Sequence, residues 1–180
     1  MTFLKFILFI TFLFFSLTTI FGQGKEDTHY RIFKIRETCQ QINHYKIYDS
    51  VVIDDPEEFL GQGTDNGGSL IGYFKSDSLK KILEWVGLSN KVIQNEYYYN
   101  NDKLIFVYST ESRYRFNDSA QSLNYAKLDK IFEGRYYFDK DKLIDSILND
   151  KEHAASKKKD SAQLLASSNE YRKLLKKKRK

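Results

Sequence analysis

A chain of 180 residues and 21.3 kDa, 41% hydrophobic and 29% charged, is long and apolar enough to bury one core, which excludes a chain disordered throughout and suggests one modest domain. Aromatics make up 16%, nearly all of them 14 Phe and 13 Tyr, a bias that favours β-sheet, while the single proline excludes collagen-like and Pro-rich architectures. The net charge of +5 is split: residues 151–180 carry 11 Lys and Arg against 3 acids, or +8, whereas residues 23–150 carry 17 against 21, or −4.

Residues 1–22, MTFLKFILFITFLFFSLTTIFG, place one Lys before an apolar run that Ser16, Thr18 and Thr19 interrupt. A bilayer-spanning helix needs roughly 20 apolar residues, so a secretory signal peptide fits better, with cleavage after Gly22 or Gly24; an uncleaved anchor is the alternative. The expected localisation is secreted or periplasmic. With no Cys near this boundary, a lipid-anchored form is not expected.

Asp27 or Thr28 can cap a helix running to about Lys46, with Ile32, Ile35, Cys39 and Ile42 on one face. Cys39 is the only cysteine, so no intramolecular disulfide is available, and its place on the apolar face reads as a buried structural thiol rather than a nucleophile; a disulfide-linked dimer is the alternative. Val51-Val52-Ile53 signals a short strand. Residues 54–68, DDPEEFLGQGTDNGG, hold the only proline, four glycines and five acids, and read as a loop.

Three segments then share one form: Tyr73-Phe74-Lys75-Ser76-Asp77-Ser78-Leu79, Tyr98-Tyr99-Asn100-Asn101-Asp102-Lys103-Leu104 and Tyr137-Phe138-Asp139-Lys140-Asp141-Lys142-Leu143. Two aromatics, a polar tetrad suited to a tight turn and a Leu predict a β-hairpin in each. Helical spacing of Leu79, Ile82, Leu83 and Val86 competes, but the parallel with Leu104-Ile105-Phe106-Val107-Tyr108 favours a strand. Arg113 to Phe116 alternates charged and aromatic residues as a further strand, Asn117 to Lys130 is expected as loop or short helix, and Phe132 to Phe138 as strand. Copies 25 and 39 residues apart are too irregular for a solenoid.

The hairpins YYY-NNDK-LIFVY and YYF-DKDK-LI, after an export signal and an N-terminal helix, resemble those of a loose group of secreted bacterial proteins of uncharacterised function that carry YYF-x-x-x-K-L hairpins. The resemblance spans residues 67–148. It implies a hairpin fold and no activity, ligand or catalytic residue.

The chain closes on YRKLLKKKRK. Its apolar positions Leu164, Leu165, Tyr171, Leu174 and Leu175 are sparse, so a solvated helical tail separable from the body is expected, with contact to an anionic surface, or docking of Leu164, Leu165, Leu174 and Leu175 on the exposed sheet face, as the alternatives; nucleic-acid binding is not expected.

Candidate chemistry is thin. His29, His44 and His153 make no metal-ligand spacing, and no phosphate-binding or nucleophile-elbow motif is present, so no cofactor, metal site or catalytic residue is assigned. Asp54, Asp55, Glu57, Glu58 and Asp65 could serve Ca²⁺ or, as a pair, hydrolysis, although so polar a loop favours neither. Strand alternation predicts exposure of about half the tyrosines, which makes Tyr97, Tyr99, Tyr108 and Tyr114 candidate stacking residues for a glycan or protein partner. The expectation is an α+β fold, an N-terminal helix packed on an antiparallel β-meander of about six to eight strands with a basic C-terminal helical tail. The function expected is a non-catalytic binding module of the cell envelope, its partner an envelope protein or glycan, with a small secreted hydrolase as alternative.

Overall fold

The computed structural model describes residues 27–149 and 157–179, with side chains described at 27–149 and 161–179. The signal segment expected at 1–22 lies outside them. By its internal contacts the chain divides into residues 1–37 and 38–180. In the first unit, residues 27–37 are helical and carry Arg31–Asp27 and Lys34–Glu37 ion pairs one turn apart. The helix, α1, runs on to residue 44 in the second unit.

The second unit is built on seven antiparallel strands in sequential order: β1 (Asp49–Ile53), β2 (Gly68–Lys75), β3 (Ser78–Gly87), β4 (Lys91–Asn100), β5 (Lys103–Asn117), β6 (Ser122–Asp139) and β7 (Lys142–Leu148). Two helices join them, α2 (Pro56–Leu60) and α3 (Lys157–Lys178). The α+β meander expected from the sequence is the observed architecture.

Each repeated segment is a hairpin with a two-residue turn, closed by the pairs Lys75↔Ser78, Asn100↔Lys103 and Asp139↔Lys142. In the last two, both turn residues have positive φ (Asn101 48°, Asp102 60°; Lys140 51°, Asp141 62°), the handedness that matches strand twist. In all three the register slips by one residue between the paired aromatics, leaving Lys80, Ile105 and Ile144 as extra residues on the returning strand. This bulge sets the second aromatic and the motif Leu on one face: Phe74 opposite Leu79, Tyr99 opposite Leu104, Phe138 opposite Leu143. Five of these six are buried, and Leu143 packs against them.

Two expectations are corrected. Residues 117–130 are not a loop or helix: β5 runs to Asn117, a turn at 118–121 follows, and β6 starts at Ser122, so they form a long hairpin in which Tyr114 stacks edge-on against Tyr125 at 4.8 Å. The loop at 54–68 holds a one-turn helix, since the Asp55 carboxylate accepts from the Glu57 amide at 3.0 Å, Pro56 opens the turn and Gly61 ends it at φ 72°.

The basic tail is also corrected. α3 packs on the sheet against β2, β3 and β5, and Tyr171 and Leu175 belong to the main core. Ser161, Leu164, Ser168, Tyr171 and Leu175 recur at helical spacing, and the buried serines stand where larger apolar residues would have announced an amphipathic stripe. At Gly72 on β2 an added Cβ would lie 2.9 Å from Leu175 Cδ1, so glycine permits the close approach. Of the tail's cations, Lys176 pairs with Asp102, Lys178 with Glu58 and Arg179 with Asp49. Basic side chains near the end of α3 thus lie on acidic side chains of the second unit.

Candidate functional site

The pairing register sets a row of residues across one sheet face: Glu84 on β3 faces Asn95 on β4, Asn95 faces Ser109 on β5, and Ser109 faces Gly134 on β6. The flanking rows are larger and mostly apolar, Ile82–Tyr97–Val107–Tyr136 on one side and Val86–Ile93–Glu111–Phe132 on the other. Side chains that shorten along the middle row leave a trough, which α2, the segment after it and α3 wall in. The result is a cleft of about 580 Å³, within the usual range of small-molecule sites.

Glu84 is 5% exposed. An unpaired carboxylate there would be strongly unfavourable, and three donors converge on it instead: Asn95 Nδ2 at 2.8 Å and the Tyr97 hydroxyl at 2.8 Å on one oxygen, the Tyr171 hydroxyl at 2.7 Å on the other. Tyr171 reaches it from α3 with its ring edge-on to Tyr97 and Phe59, both at 6.0 Å. One turn earlier, the Tyr99 hydroxyl meets Ser168 Oγ at 2.8 Å. Burial, then the neighbouring Glu84 charge, holds the Tyr97 and Tyr171 phenols well above their ordinary value of 10.0. Asn95, 7% exposed, lines the cleft with its Oδ1 buried and without a partner. The amide orientation is set by its neighbour, since turning it over would bring two acceptor oxygens together.

The tyrosines expected as an exposed row are not one. Tyr97 and Tyr99 are each 1% exposed on the α3 side and Tyr114 is 7% exposed in the long hairpin. Tyr108 is half-buried on the opposite face, beneath Lys130 and Arg135. Neighbouring tyrosines do alternate between the faces, but both faces are covered around Tyr97 to Tyr99: α3 lies over Tyr97 and Tyr99, and Asn43, in the part of α1 that belongs to the second unit, lies 3.2 Å from the Tyr98 hydroxyl. Of the four, Tyr97 lines the cleft and the other three do not.

Three of the five acidic loop residues have structural partners: Asp55 caps α2, Glu58 pairs with Lys178, and Asp65 accepts from the Ser89 amide and hydroxyl. All five are exposed. Among the described residues no three His, Cys, Asp or Glu side chains gather as metal ligands, and no helix is long and apolar enough to cross a membrane. Cys39 is buried, and burial pushes its thiol from 9.0 up to about 12.

Glu84 and Asn95 did not stand out in the sequence. Their signal was parity: in Ile82-Leu83-Glu84-Trp85-Val86 the acid shares its face with Ile82 and Val86, an inward position that a solvated carboxylate would not take. The fold and cleft define an α+β meander protein with a buried carboxylate held by phenols beneath a C-terminal helix. No protein-family model, curated protein or solved structure matches the chain.

Proposed function

We infer that the protein is an exported, non-catalytic binding module of the cell envelope and that the cleft under α3 is its binding site. The observation that carries this reading is the buried, unpartnered Asn95 Oδ1 beside Glu84 in an open cleft of about 580 Å³, because a buried acceptor left without a donor is a place for a ligand group or water. Export rests on the interrupted apolar run before Gly22 and on the likeness to secreted hairpin proteins. An envelope protein or glycan remains the partner class for the outer surface. Exposed Lys173 and Lys177 keep a charge-based contact with anionic headgroups open to the tail. The hydrolase reading draws no support from the acidic loop, whose acids are exposed.

The test is a thermal-shift screen of the full chain with cationic, neutral and anionic small molecules, repeated on Ser167→Phe, which fills the cleft from its α3 wall. One class should raise the melting temperature saturably in the parent and fail to do so in the variant. Equal shifts in both proteins would place binding elsewhere. Fractionation of the native host checks export, with the mature chain expected to start at Gln23 or Lys25; an intact Met1 on a membrane-bound product would reject the signal peptide.

A further inference from the structure

We propose that the cleft takes a protonated organic amine, its ammonium group seated between Glu84 and Asn95 Oδ1 and its apolar body along Leu88, Ile93 and Leu164. The proposal rests on the reading of the cleft as a binding site and names the ligand class.

Charge comes first. The cleft is lined by three carboxylates, Glu84, Glu111 and Glu170, and by no Lys, Arg or His among the described residues. Glu84 and Glu111 belong to the segment 23–150, which carries −4, so the cleft concentrates the sign of that segment. Lys91 meets one of these acids, Glu111, at 2.7 Å, and Glu84 has only uncharged donors.

The count of acceptor sites comes second. A carboxylate offers about four lone-pair positions, and the three donors on Glu84 leave one open. Asn95 Oδ1 is buried and unpartnered on the same amide that donates to Glu84. An ammonium carries three N–H donors and no acceptor, so it can donate to both vacancies and turn its third N–H to the open mouth of the cleft. An anionic ligand would instead meet acceptor oxygens at each, and a neutral alcohol supplies one donor for two.

Shape comes third. Tyr97, Tyr136 and Phe132 line the same cleft, and aromatic faces attract a cation that has shed part of its water. The volume suits an amine with a ring or short chain rather than a bare ion.

Isothermal titration of the full chain with phenethylamine, 2-phenylethanol and phenylacetate isolates the head group on one skeleton. Phenethylamine should bind saturably and about tenfold or more tighter than the alcohol, with no binding of the acid. Asn95→Leu, which removes the open acceptor together with the Nδ2 donor to Glu84 and keeps the volume, should weaken the amine by about tenfold. Should that variant lose its fold, Glu170→Gln on the exposed rim should still weaken the amine by about threefold through lost field alone. Alcohol binding as tight as amine binding, or an amine affinity untouched by both variants, overturns the proposal. If the neutral or anionic class in the thermal-shift screen binds in a manner that Ser167→Phe blocks, the binding reading stands while the amine falls. If no class binds, both fall.

Discussion

Glu84 is the residue whose removal should be felt most widely, because three side chains from two elements are arranged around it. Tyr171→Phe deletes one donor and leaves the carboxylate oxygen buried, so it should destabilise the protein by about 1.5–3 kcal/mol in urea unfolding, in the range for hydrogen bonds to charged groups. Tyr125→Phe, at an exposed position, should stay within about 0.5 kcal/mol. The same buried phenols set a pH dependence whose sign is fixed. Burial above all raises Tyr97, Tyr99 and Tyr171 above the ordinary 10.0, and raises the Cys39 thiol from 9.0 to about 12. Each group therefore keeps its proton in the fold at pH values where the unfolded chain has lost it. The folded state then binds more protons, and stability falls as pH rises. Stability should hold up to about pH 9 and decline from there toward pH 12, more gently in Tyr97→Phe and Cys39→Ala; a decline of unchanged steepness in both variants would show that other groups govern it. An aromatic-disulfide thiol probe at pH 8 should label Cys39 only on unfolding.

At the scale of the element, the three hairpins share a mechanism that their sequences only partly display. The paired aromatics, the polar turn and the Leu were legible because strand and turn chemistry are local. The bulge between the aromatics was not, since an extra residue on the returning strand shows only once the strands are paired. The β5–β6 hairpin was missed for a related reason: Asn117 and Asp118 signal a turn, but Lys127, Asp129 and Lys130 break the apolar alternation that marks a strand. They can do so because residues 125–130 are exposed on both sides of the strand. Turn handedness yields a test. Lys140 occupies a positive-φ position where Asn fits better, so Lys140→Asn should raise stability by up to about 1 kcal/mol, while Asn101→Val forces a β-branched residue into φ 48° and should lower it by about 1–2 kcal/mol. Thermal or urea unfolding reads both. Equal effects at the two turns would mean that strand packing, not turn conformation, sets hairpin stability.

For the whole molecule the question is what holds α3 down. The sequence separated tail from body by charge, +8 against −4, and that split underlies the ion pairs Lys176–Asp102, Lys178–Glu58 and Arg179–Asp49. Charge is nevertheless the minor contributor, because pairs this exposed are worth about 0–1 kcal/mol each and weaken with salt. The larger contribution is burial of Leu175, fully enclosed, and Tyr171 at 4% exposure, with Leu164, Leu165 and Leu174 packed at their margins. Leu175→Ala alone should remove about 2–5 kcal/mol. Truncation after Asn149 takes that whole stripe, withdraws the Tyr171 donor from Glu84 and uncovers the Tyr97–Tyr99 face, so the truncated chain should lose several kcal/mol and bind a hydrophobic dye such as ANS. Full-length protein in 1 M NaCl, where the screening length shrinks to about 3 Å, should keep its stability within about 1 kcal/mol. A truncated chain that melts where the parent does would return the tail to solvent. A full-length chain that loses as much in salt as by truncation would make the ion pairs, not Tyr171 and Leu175, the clasp.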